Sequence, residues 1–165
     1  MSTRADELLL AAVLDSWDRN NTILVNLLRA LPDGALDVRP TASSPSIGAL
    51  FAHIHYVRLI FVAEDAPESA SPVPDGEWQH ERDRERIAHW LHESAQTVRA
   101  AVEKRLHVGR AMDVHYDHPI LLVQHMIWHE GYHHGQIKLA LKLAGHALAD
   151  DAIGPVTWNV WMGKT

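Results

Sequence analysis

Apolar residues return every three or four positions along most of the chain, and alternation is nowhere sustained, so the pattern predicts helices and no sheet. From about Thr3 to Leu31, one stripe carries Leu9, Val13, Ser16, Asn20, Leu24, Leu27 and Leu31. A second helix is marked by Ser44 as N-cap and Pro45 at the first helical position, where the ring's missing N–H is not needed, and runs to about Ala63. A third, from about Glu81 to Leu106, turns Ile87, Leu91, Ala95, Val98 and Val102 inward. The fourth starts near His118 and Pro119 and ends at Ala144, where Gly145 is a natural stop.

Between the second and third helices lies PESASPVPDGEW, residues 67–78, whose prolines, serines and glycine neither continue a helix nor follow a strand pattern. Extended, such a segment reaches about 40 Å, enough to return along a helix, so helices two and three can run parallel while the other links join antiparallel neighbours. The expected fold is all-α: one domain over residues 1–165, a four-helix bundle with a long crossover between helices two and three, up-down-down-up. Trp158 and Trp161 in the tail are expected to cover the core.

Composition narrows the chemistry. The 165 residues include no cysteine, which excludes disulfides, thiolate metal ligands and a cysteine nucleophile. A net charge of -6 without any basic block argues against nucleic acid and anionic membranes as partners. The apolar run LLLAAVL is flanked by Asp6, Glu7 and Asp15, unlike a signal peptide, and nothing approaches a membrane span, so a soluble cytoplasmic protein is expected.

Four of the thirteen histidines fall within HMIWHEGYHHGQ, residues 125–136. His125, His129 and His133 are successive i, i+4 neighbours on the stripe that includes Leu122, Gln136 and Ala140, with Gln124, Lys138 and Lys142 on the opposite side. His53 shares a stripe with Leu50, Val57 and Ile60, while His55 and Arg58 lie off it. Two inward imidazoles one turn apart can meet on one ion, and a third from a facing helix completes a ligand set. The alternative is a core of separately hydrogen-bonded histidines, each needing its own partner. His125, a turn further along, is read as a pocket residue beside the ligands, and Gln136 as a hydrogen-bond partner of a ligand or bound water. Ser16 and Asn20 interrupt the apolar stripe of helix one, either opposite the metal or as polar spacers. His89 and His92 lie off the third helix's stripe and are read as surface residues.

The string His129-Glu130-Gly131-Tyr132-His133 also fits the zinc helix of metalloproteases, in which the glutamate is the general base. That chemistry needs a third downstream ligand, yet no glutamate follows Glu130, and Gln136 and Leu139 occupy the glycine and histidine positions of the longer motif. Glu130, about 100° around the helix from His129, is then read as a solvated or rim residue, with a catalytic role kept only as the base of a hydrolase.

Two segments, SIGALFAHIHYV at 46–57 and HEGYHHGQI at 129–137, together resemble the DinB-like metal-binding four-helix bundles. His134 stands where an arginine is frequent, and Tyr132 replaces a common non-ligating histidine. The resemblance implies a divalent metal on His53, His129 and His133 with an open position. Zinc or nickel suits an all-imidazole set first, with iron, cobalt and manganese also compatible. It further implies a small-molecule substrate, a homodimer and chemistry like that of thiol S-transferases using bacillithiol or mycothiol, or of maleylpyruvate isomerase. There the metal activates a low-molecular-weight thiol co-substrate, so no protein cysteine is needed. The competing expectations are a non-catalytic metal-binding bundle with a structural or sensing role, and a metal-dependent hydrolase using Glu130.

Overall fold

The computed structural model describes residues 4–163, and among these there is no strand. Four long helices dominate: α1 (Arg4–Ala30), α2 (Ile47–Asp65), α3 (Arg84–His107) and α4 (Pro119–Leu143), followed by the short α5 (Asp150–Ile153) and α6 (Asn159–Met162). The expected start of helix one at Thr3 lies outside the described residues. Capping explains the other boundaries. The Asp83 carboxylate accepts the Glu85 and Arg86 N–H groups at the start of α3, His118 caps α4 with Pro119 behind it, and Gly145 takes φ 77° just past its end. For α2 the cap is Ser46, not Ser44: the Ser46 hydroxyl accepts the Ala49 N–H at 3.1 Å. Ser44 is held instead in a turn with Thr41, whose carbonyl binds its N–H and whose hydroxyl lies 2.7 Å from its own.

Contacts between helices set their relative sense. Along α2, His55 meets the Trp90 carbonyl and Arg58 the Leu91 carbonyl, while Glu68 just beyond it meets Arg105, so positions advance together along α2 and α3. Against α4 they advance oppositely: His53 faces His129, Phe61 packs on His125, and Asp65 binds the backbone of Val114 and His115. α1 runs against α3, with Trp17 on the Ala95 carbonyl and Pro32 bound by Arg84.

Leu24, Leu27, Leu31, Leu50, Ile87, Leu91, Ala95, Val98, Val102, Leu122 and Ala140 are buried as the periodicity predicts. Leu9 is not: it is 61% exposed at a surface groove shared with Leu106 and His107, while its neighbour Leu10 packs partly against the core and full burial on α1 begins with Leu14 and Trp17. His55 and Arg58 are also buried, although they lie off the expected stripe. α2 is covered on most sides, and a narrow strip of Tyr56, Ile60, Ala63 and Glu64 reaches solvent, so most polar positions on it face neighbouring helices. By length and composition it is apolar enough to cross a membrane, yet 72% of its most apolar window is buried inside the protein. At its N-terminal end Gly48 passes so close to the Glu81 carbonyl that a Cβ there would clash.

The tail departs from expectation. Trp158 and Trp161 are 43% and 42% exposed and do not close the core. The segment is held through its backbone: Arg19 donates to the carbonyls of Val160 and Gly163, and Asn26 to that of Val156. Trp158 instead receives the Lys138 ammonium over its ring at 5.0 Å.

Candidate metal centre

His53 lies in the second turn of α2, and His129 and His133 one turn apart on α4, which runs beside it. Their imidazoles point at one another. The Nε2 of His129 is 3.1 Å from Nε2 of His53 and 3.0 Å from Nε2 of His133, and one ligand atom from each residue fits within 4.8 Å of the others. Neighbouring donors on a single ion stand at such spacings when metal–nitrogen bonds are about 2.0–2.1 Å.

The outer nitrogens bear on what the inner ones can do. His133 Nδ1 lies 2.7 Å from Gln136 Oε1, which can only accept, so Nδ1 carries the hydrogen and Nε2 presents its lone pair inward. His53 Nδ1 has the Glu77 carboxylate at 2.8 Å, within ion-pair range but without the alignment of a hydrogen bond. The Nδ1 atoms of both His53 and His129 are buried and lack a hydrogen-bond partner. One neutral imidazole carries one hydrogen, so His129 either holds it at Nδ1 without a partner or, from Nε2, donates it to only one of the two nitrogens that face it. A cation at the meeting point removes that conflict at the inner atoms, and the donor set fits a divalent transition metal.

The electrostatics favour the same protonation state. Burial, followed by repulsion from His133, His53, His125 and Arg58, pushes His129 down to about 3. Burial also lowers His53, aided by His133 and opposed by Glu77, and lowers His133 against the pull of Gln136. All three are thus neutral near pH 7, the form that binds metal.

Beside the ligands, His125 is half-buried, 6.4 Å from His129 between ring centres, with Nδ1 2.6 Å from the Tyr116 hydroxyl. Asn20 reaches the same region but binds Glu130 rather than a histidine, and Ser16 turns back onto the Val13 carbonyl of its own helix. His89 and His92 are exposed, as expected. Glu130 is neither solvated nor at a rim. It is 1% exposed, and its two oxygens accept from Arg58 Nε and Nη2 at 2.6 and 2.8 Å and from Asn20 at 2.5 Å. Arg58 also donates to Asn21, Ser94 and the Leu91 carbonyl, so this ion pair joins all four long helices.

Sequence patterns miss three further residues here. Arg58 is hidden because a helix buried on most sides has no clear stripe to betray it. Glu77 and Trp78 end the proline-rich crossover, where no periodicity exists, yet Trp78 stacks on His53 with ring centres 4.1 Å apart and planes 2° from parallel. Two surface grooves, one beside His89 and His92 and one beside Leu10 and His107, lie away from these histidines. Convergent donors mark the site.

A model of the DinB family matches residues 1–153. The chain belongs to the DinB family. The match spans the four long helices and all three site histidines, and ends with α5. Neither a curated protein nor a solved structure matches the chain.

Proposed function

We propose that this DinB protein holds a divalent transition metal, zinc or nickel, on His53, His129 and His133, and uses it in transferring a low-molecular-weight thiol to an electrophile. The observation that carries the metal is the meeting of three neutral Nε2 atoms, with separations of 3.0 and 3.1 Å, where a single His129 hydrogen can serve only one of the two contacts. Bound there, the ion would favour thiolate over thiol at neutral pH. Three protein donors leave one position open, the pattern of catalytic rather than structural sites, and the chain has no cysteine to close it.

The protein's own residues supply orientation and access. Gln136 fixes the tautomer of His133. Trp78 and Tyr132, 46% and 57% exposed beside His53 and His133, put aromatic surface at the solvent edge where a small molecule would enter. The hydrolase reading finds less support, because Glu130 is enclosed and both of its oxygens are engaged by Arg58 and Asn20. The fold proposed with this function is the up-down-down-up bundle, supported by the common sense of contacts along α2 and α3 and the opposite sense along α2 and α4.

Cobalt(II) loaded into the metal-free protein tests the reading. Visible bands that shift on adding a small thiol are expected, followed by loss of thiol with an electrophile. Bands indifferent to every thiol would end the transferase reading and leave a metal site of structural or sensing character.

A further inference from the structure

The crossover from α2 to α3 delivers two side chains onto one ligand. Trp78 lies flat against the His53 ring, and Glu77 Oε1 stands 2.8 Å from its Nδ1. That nitrogen is buried and lacks an aligned hydrogen bond, while the Glu77 side chain is 42% exposed and has room to turn. Among the described residues, no other carboxylate is within ion-pair distance of the three site histidines. The three ligands are therefore supported unequally: His133 by an amide on its own helix, His129 by nothing at Nδ1, and His53 by a charged group brought from a loop.

Resting on the metal site proposed above, we infer that Glu77 is a positioning residue for that site. Turned into line, its carboxylate accepts the Nδ1–H of His53, which fixes Nε2 as the donor atom, while Trp78 lies flat against the ring. An imidazole ligand commonly donates its second N–H to a carboxylate, which orients the ring and increases its basicity toward the ion. Here the carboxylate belongs to the crossover, so metal binding and the seating of residues 77–78 reinforce each other.

The test titrates cobalt(II) into metal-free protein against a chromophoric chelator, for the parent, Glu77→Ala and Glu77→Gln, with thermal unfolding of each metal-free form in parallel. Loss of the carboxylate is expected to weaken binding about 10–100-fold and alter the visible cobalt bands. Glu77→Gln, which keeps an acceptor oxygen without the charge, should fall in between, and the metal-free unfolding midpoints should agree. Parent-like affinity in Glu77→Ala would overturn the inference and leave the three-histidine site standing. A weakened affinity matched by a lower metal-free midpoint would also overturn it, by making Glu77 a residue of the fold. If the parent itself takes up no cobalt, the metal site fails, and this inference with it.

Discussion

Arg58 on α2 and Glu130 on α4 meet through two hydrogen bonds, of 2.6 and 2.8 Å, with both side chains closed to solvent. Asn20, Asn21, Ser94 and the Leu91 carbonyl take up much of their remaining capacity, and the guanidinium lies 4.7 Å from the centre of the Trp17 ring. Since Glu130 directly follows His129, the pair also sets the height and rotation of the helix that presents two ligands. Removing one partner strands a charge in the core, and Glu130→Ala should cost about 3–5 kcal/mol. Replacing both by apolar residues, as in Arg58→Met with Glu130→Leu, removes the two desolvation penalties together and should recover most of that loss. Urea unfolding of the two single variants and the double variant measures this; additive losses would show that no coupled pair exists.

The contrast between Arg58 and Val98 shows how far sequence reaches. α3 is amphipathic, and Ile87 to Val102 can be placed from spacing alone because its other face meets water. α2 is enclosed by its neighbours on most sides, so polar residues within it carry little directional signal, and Arg58 and Glu130 become recognisable only once α2 and α4 are brought together. His53, His129 and His133 were legible because two of them repeat at one turn and the third sits in an apolar helix. Glu77 was not, because a loop's path depends on tertiary contacts such as that between Gly48 and the Glu81 backbone.

Each site histidine should be needed for metal. Protein purified without an affinity tag should contain close to one equivalent, and His53→Ala, His129→Ala and His133→Ala should each reduce it severely. Metal analysis by mass spectrometry decides the matter. Full retention in His53→Ala would place the ion on α4 alone.

Gln136→Leu should weaken metal binding about tenfold or more, because His133 would lose the acceptor that fixes its tautomer. Gln136→Glu keeps an acceptor and should retain tight binding. Chelator competition distinguishes the two; equal affinities in both variants would remove Gln136 from the site.

Metal-free protein should lose stability as the pH falls below 6.5. His53, His129 and His133, together with His55 and His134, are held below their ordinary value mainly by burial. Below 6.5 the unfolded chain therefore binds more protons than the folded one, so stability is full above that pH and declines toward about 3, where His129 itself titrates. The interval from 6.5 down to about 5.5, above the range in which ordinary carboxylates take up protons, isolates the histidines. Thermal midpoints that stay level across it would contradict the assignment.

Gly48→Ala should destabilise by about 1–3 kcal/mol, because the added methyl pushes the Glu81 backbone away from α2. Glu81 lies shortly after Trp78, so the displacement should also loosen the stacking on His53. A variant with parent-like stability in urea would show that the approach relaxes freely.

A ligand set made only of neutral imidazoles cancels none of a cation's charge. A divalent ion there would keep its full double positive charge inside a chain whose own net charge is -6, with the nearby Glu77 carboxylate as partial compensation. The contrast of sign would be local and steep: a cationic point set in an acidic protein. It would select for small anions that fit the opening, and repel extended polyanions from the surface around it.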